Sequence, residues 1–117
     1  MERNFDLVRE ILLASEAQDF KQTKPIAPKG FSNDEIRYHI KIMEDGGLIK
    51  MRQAEGIDLP APVFDGLTWK GHEFLDSIRE TNTWSKVKSV LSEKSVALSY
   101  ESIKAAVIFV IKDALGG

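Results

Sequence analysis

Residues 32–52 read Ser-Asn-Asp-Glu-Ile-Arg-Tyr-His-Ile-Lys-Ile-Met-Glu-Asp-Gly-Gly-Leu-Ile-Lys-Met-Arg, and this stretch decides the fold. Ser32 and Glu35 stand three apart, the spacing at which a hydroxyl and a carboxylate each satisfy an orphan amide at a helix start. Ile36, Ile40 and Met43 then recur on one helical face. Gly46-Gly47 stops the helix, because glycine enters the left-handed cap conformation at little cost. Leu48 to Arg52 reads as a strand. After a loop holding Gly56, Pro60 and Pro62, the residues Val63, Phe64 and Leu67 read as its return. A helix that feeds two strands joined by a loop predicts a helix followed by a hairpin, or wing.

Working outward, residues 4–18 carry helical spacing through Phe5, Val8, Ile11, Leu12 and Ser15, with Asn4 placed to cap and Asp6 in the first turn. Between the two helices, Pro25 and Pro28 forbid a regular helix, so Lys24-Pro25-Ile26-Ala27-Pro28 is expected as a short edge strand or an extended arm. Beyond the hairpin, Thr68 can cap a helix over about 69–81, with Phe74, Leu75 and Ile78 inward. Thr83 or Ser85 can cap another over about 84–94, and Ser99 a last one over about 100–115, ended by Gly116-Gly117. The expectation is an α+β, winged-helix-like single domain over 1–117. Its core covers 1–81 (helix, short strand, helix, β-hairpin wing), with a C-terminal helical extension over 82–117.

Several stretches carry a family resemblance. They are Asp6-Leu7-Val8-Arg9-Glu10-Ile11-Leu12, Tyr38-His39-Ile40-Lys41, Gly47-Leu48-Ile49 and Trp84-Ser85-Lys86-Val87-Lys88. The most specific is Leu67-Thr68-Trp69-Lys70-Gly71-His72-Glu73-Phe74-Leu75-Asp76. Together they resemble an uncharacterised bacterial and phage family, domain of unknown function 2513. The resemblance implies a bacterial or prophage setting and a winged-helix-like fold, and it implies no activity. Gly47-Leu48-Ile49 before the hairpin and Leu67-Thr68-Trp69-Lys70-Gly71 after it are also similar to winged-helix regulators. The proline-bearing stretch ahead of the second helix departs from the full helix-turn-helix, which needs a helix there.

Composition narrows the function classes. The 117 residues include no cysteine, which removes disulfides, thiolate metal sites and cysteine nucleophiles. The longest apolar run, Ala105 to Ile111, is far short of the roughly 20 residues that span a bilayer. With no signal-peptide pattern at the start, a cytoplasmic location and no membrane partner are expected. Sixteen basic against eighteen acidic residues give a net charge of −2, without the basic excess of most nucleic-acid binders. No Gly-x-Ser-x-Gly, P-loop or His-Glu-x-x-His pattern occurs, so neither an enzyme, a metal site nor a cofactor is expected. His39 and His72, the two histidines, are expected to bond a backbone carbonyl or a nearby carboxylate, with Asp76 one turn after His72 as a candidate partner.

Two partner classes remain. Duplex DNA would be met by Arg37, Tyr38 and Lys41 on the second helix and by Lys50 and Arg52 on the wing. Carboxylates at Asp34, Glu35 and Asp45 oppose this, as do Glu55 and Asp58 on the wing. The rival is a protein-interaction adaptor. Convergence of Arg37, Lys41, Lys50, Arg52 and Lys86 on one face would favour DNA, and interruption by carboxylates would favour the adaptor. Trp69 and Trp84 are expected as packing anchors, Trp69 over the joint between wing and helix. In the last helix, apolar residues cover about 200° of the circumference, against about 100° for an ordinary surface helix. Ile103, Val107, Phe109, Val110 and Ile111 are therefore candidate interface residues for a homodimer, unless the first and fourth helices wrap this helix completely.

Overall fold

The computed structural model describes residues 1–18, 26–53 and 62–116. Its elements run α1 (Phe5–Glu16), α2 (Asn33–Asp45), β1 (Ile49–Gln53), β2 (Pro62–Leu67), α3 (Trp69–Ile78), α4 (Thr81–Glu93) and α5 (Tyr100–Ala114). It is an α+β chain whose described strands form one two-stranded antiparallel hairpin. The chain divides into two compact units, residues 1–73 and 74–117.

In the first unit, α1 is capped by Asn4, whose Oδ1 accepts from the amides of Asp6 at 2.9 Å and Leu7 at 3.3 Å. α2 starts with the reciprocal bonds its sequence promised: Ser32 Oγ accepts from Glu35 N at 3.1 Å, and Ser32 N donates to Glu35 Oε1 at 3.1 Å. It ends in paired bonds, Leu48 N to Met43 O at 2.9 Å and Gly47 N to Glu44 O at 3.0 Å. This closure requires the left-handed Gly47, at φ +78°. The turn delivers the chain into β1, whose Ile49 pairs with Leu67 and whose register shifts by a bulge between Lys50 and Met51. Phe5, Leu7, Val8, Ile11, Leu12, Ile36, Met43, Leu48 and Ile49 are buried.

The expected short strand ahead of α2 is corrected. Ile26, Ala27 and Pro28 belong to no strand, and the hairpin has no third member among the described residues. Pro28 offers no N–H to a ladder, which disfavours strand pairing here. Lys24 and Pro25, and the loop residues Glu55, Gly56, Asp58 and Pro60, lie outside the described residues.

In the second unit, α4 and α5 pack together, burying Trp84, Val87 and Leu91 of one helix and Ile103, Ala106, Val107 and Val110 of the other. Ser99 caps α5 as expected, its Oγ accepting from Ser102 N at 3.0 Å, while Ser102 Oγ accepts from Ser99 N at 2.9 Å. The expected start of α4 is corrected. The helix begins at Thr81 after Glu80, which makes no side-chain cap, so Thr83 and Ser85 lie inside it.

Candidate functional site

The start of α3 is fixed by one hydroxyl acting in two directions. Thr68 Oγ1 accepts from Gly71 N at 2.9 Å and donates to Gly47 O at 2.5 Å, tying the helix start to the α2–β1 turn. Thr68 N also donates to Leu48 O at 3.1 Å. Gly71 is buried against this turn, and a Cβ there would collide with the Leu48 carbonyl. Here glycine is required by close approach, its backbone being ordinary helix.

This clamp turns Trp69 outward. The expectation of a packing role for Trp69 is corrected: the side chain is 79% exposed, whereas Trp84 is buried as expected. Position 69 is the first residue of α3 and immediately follows the clamping Thr68, so its side chain leaves the turn and does not cover it. Its indole N–H donates to the carboxylate of Glu73, one turn on, which holds the ring in place. Lys70 Nζ donates to Gly46 O at 3.3 Å. His72 Nδ1 lies 3.8 Å from Glu16 Oε2, while the expected partner Asp76 pairs with Arg79 at 2.8 Å.

The candidate DNA contacts fall on α2 and the hairpin. Arg37, Tyr38 and Lys41 are exposed on α2, and Lys50 and Arg52 on β1. Both arginines are matched by carboxylates of the same surface. Arg37 Nη2 lies 3.4 Å from Asp34 Oδ1, and Arg52 Nε lies 3.3 Å from Asp65 Oδ1. Asp34 and Glu35 also occupy the first turn of α2, where they already satisfy the positive end of the helix. Lys41 and Lys50 have no ion pair among the described residues. Lys86 lies in the other unit.

His39 is structural, as its sequence position implied. It is almost fully buried, its Nδ1 is 2.8 Å from Glu35 O, and Asn4 N donates to its Nε2 at 2.8 Å. Because Nε2 must accept, the proton sits on Nδ1 and is donated to the carbonyl. The ring thereby bolts the start of α1 to the first turns of α2. Among the described residues, no group of three or more His, Asp or Glu is placed to hold a metal ion. No helix there is long and apolar enough to cross a membrane.

On α5, the candidate interface residues divide. Ile103, Val107 and Val110 are taken up by the core of their own unit, whereas Phe109 and Ile111 are exposed. Ile108 and Leu115, which stand among polar positions of the helical wheel, are exposed as well.

The chain is 34% identical to an uncharacterized protein of Haemophilus influenzae over 117 residues, covering 98% of this chain and 99% of that one. No solved structure matches. Residues 2–97 match the family described as Hypothetical protein (DUF2513), and with that the chain belongs to the DUF2513 family.

Proposed function

We propose that this chain is a non-enzymatic protein-interaction adaptor on a winged-helix-like scaffold, with Trp69 anchoring the contact surface of residues 1–73. The carrying observation is the 79% exposure of a tryptophan whose indole N–H donates to Glu73, at the start of a helix fixed by the Thr68 clamp. Exposing so large an apolar ring has no folding benefit. Tryptophan is enriched among the few residues that dominate protein interfaces. A ring bonded to a neighbouring carboxylate has less rotamer freedom to lose on binding, which favours affinity. The pairing of Arg37 with Asp34 and of Arg52 with Asp65 supports the same reading, because both arginines that would meet a phosphate already have an anion beside them.

Duplex DNA is the second reading, favoured by one observation: Lys41 and Lys50 have no ion pair among the described residues. Two lysines supply a weak, sequence-independent attraction at most.

The adaptor reading is tested by affinity capture from bacterial lysate with wild type and Trp69→Ala in parallel, followed by titration of the purified captured protein. We expect a partner whose affinity falls at least about tenfold in the variant, on the scale of a hot-spot truncation. A partner bound equally by both would remove Trp69 as the anchor.

A further inference from the structure

We propose that the protein meeting Trp69 presents an arginine, whose guanidinium lies on the exposed indole face and pairs with Glu73. The inference rests on the adaptor reading and names the partner chemistry that this reading leaves open.

The other aromatic rings of the chain set the comparison. Among the described residues, Arg3 stands over the Phe5 ring, Lys88 over Trp84, Lys94 over Phe109 and Lys104 over Tyr100, each 4.9 to 5.8 Å from the ring centroid. At that range the negative face of the ring attracts the cation. Trp69 is the most exposed aromatic side chain among the described residues, at 79%. Indole also offers the strongest face of the aromatic side chains. Yet no described cation of the chain stands over it.

The ring also has an anion at its edge. Its N–H donates to Glu73 Oε1. A bond from N–H to a carboxylate polarises the indole toward greater electron density, which strengthens the pull of its face on a cation. Glu73 itself has no Lys, Arg or His partner among the described residues. The neighbouring Lys70 is engaged at Gly46 O, 3.3 Å from its Nζ.

Charge at this end of the unit agrees. Glu44 and Asp45 are exposed in the last turn of α2, which holds no basic residue. A helix C-terminus is already the negative end of the dipole, so carboxylates there are locally unfavourable. Neither has a cation partner among the described residues. The residues that follow them, Gly46 and Gly47, are bonded to Lys70 and Thr68, which flank Trp69 in sequence. Glu44, Asp45 and Glu73 therefore surround a corner that favours a cationic partner.

Arginine fits the arrangement better than lysine. A guanidinium is planar, so it stacks on an aromatic face while its edge still donates N–H bonds, whereas an ammonium is a compact, strongly hydrated point charge. The indole face and the Glu73 carboxylate lie side by side, and one guanidinium can engage both. An apolar side chain docked on the ring would strip water from Glu73 and give it no cation in return.

The test is a selection of short random peptides displayed on phage against the immobilised full chain, with W69A and E73Q in parallel. E73Q keeps an oxygen for the indole bond and removes only the charge. Circular dichroism checks that both variants keep the wild-type fold, and the E73Q comparison stands alone if W69A does not. Peptides that bind wild type and are lost on W69A should be enriched in arginine over the starting library. Synthetic copies, titrated by fluorescence anisotropy, should bind about fivefold more weakly to E73Q. They should weaken about as much on wild type when their arginine is exchanged for lysine. Trp69-dependent peptides without arginine enrichment, or binding indifferent to E73Q or to the lysine exchange, would overturn the arginine assignment and leave the Trp69 anchor standing. A selection that yields no Trp69-dependent peptide would overturn the anchor and the arginine together.

Discussion

The two units dispose of their leftover surface in opposite ways. In residues 1–73 the outward arginines of α2 and the hairpin are matched locally, Arg37 by Asp34 and Arg52 by Asp65, and Trp69 is the most exposed of the unit's large apolar side chains among the described residues. In residues 74–117 the outward face of α5 carries a row of apolar side chains, with lysines at its margins. An anchored, well-exposed tryptophan suits a partner that brings its own pocket. The backbone of neither unit decides what it binds; the side chains left over after packing do.

The comparison is most easily broken where Trp69 is positioned. Gly71→Ala forces a Cβ into the Leu48 carbonyl, and the backbone must move. The expected loss is about 3 kcal/mol or more, read by urea denaturation, and Trp69 should lose its fixed environment with it. Next in size is His39→Leu, which strips the acceptor from Asn4 N at the α1–α2 junction. It should cost roughly 2 kcal/mol by the same measurement. A nitrogen-detected NMR spectrum of the wild type should show the Nδ1-protonated neutral ring.

Ser32→Ala and Ser99→Ala sharpen the contrast between units, since each removes a cap that opens a helix carrying part of its unit's surface. Each should cost about 1 kcal/mol. Both losses should be read by urea denaturation of the full chain. The smallest effect belongs to Asp65→Ala. Its pair with Arg52 is about half exposed, so stability should change by less than about 1 kcal/mol. A larger change would mean that the hairpin charges hold the fold together and do not merely neutralise its surface.

Much of the architecture was legible because local chemistry wrote it. Ser32 with Glu35, Gly46-Gly47 and Ser99 announced helix ends that the structure realises with the anticipated bonds. The start of α4 was not legible, since Glu80 offers no capping bond and the nearby Thr83 and Ser85 are decoys within the helix. The surface residues were harder to read for two reasons. Aromatic identity argues for burial, and only the clamp made by Thr68 and Gly71 reveals that position 69 faces outward; the four-residue spacing from Trp69 to Glu73 was the one available hint. On α5, an apolar arc of about 200° was too wide for the periodicity to say which part faces the core. Which of its residues turn inward is set by packing against α4, so Ile103, Val107 and Val110 could not be told from Phe109 and Ile111 in advance.

The claim that residues 1–73 present a protein-facing and not a phosphate-facing surface is tested most directly by titrating the purified chain against duplex DNA at low and then rising salt. The account predicts at most weak binding at low salt that is lost as salt rises, because the arginines of α2 and the hairpin already have carboxylates beside them and only Lys41 and Lys50 are left without an ion pair among the described residues. Binding that is tight at low salt and falls steeply and linearly on a logarithmic salt axis would contradict it, since that slope counts phosphates neutralised by the protein.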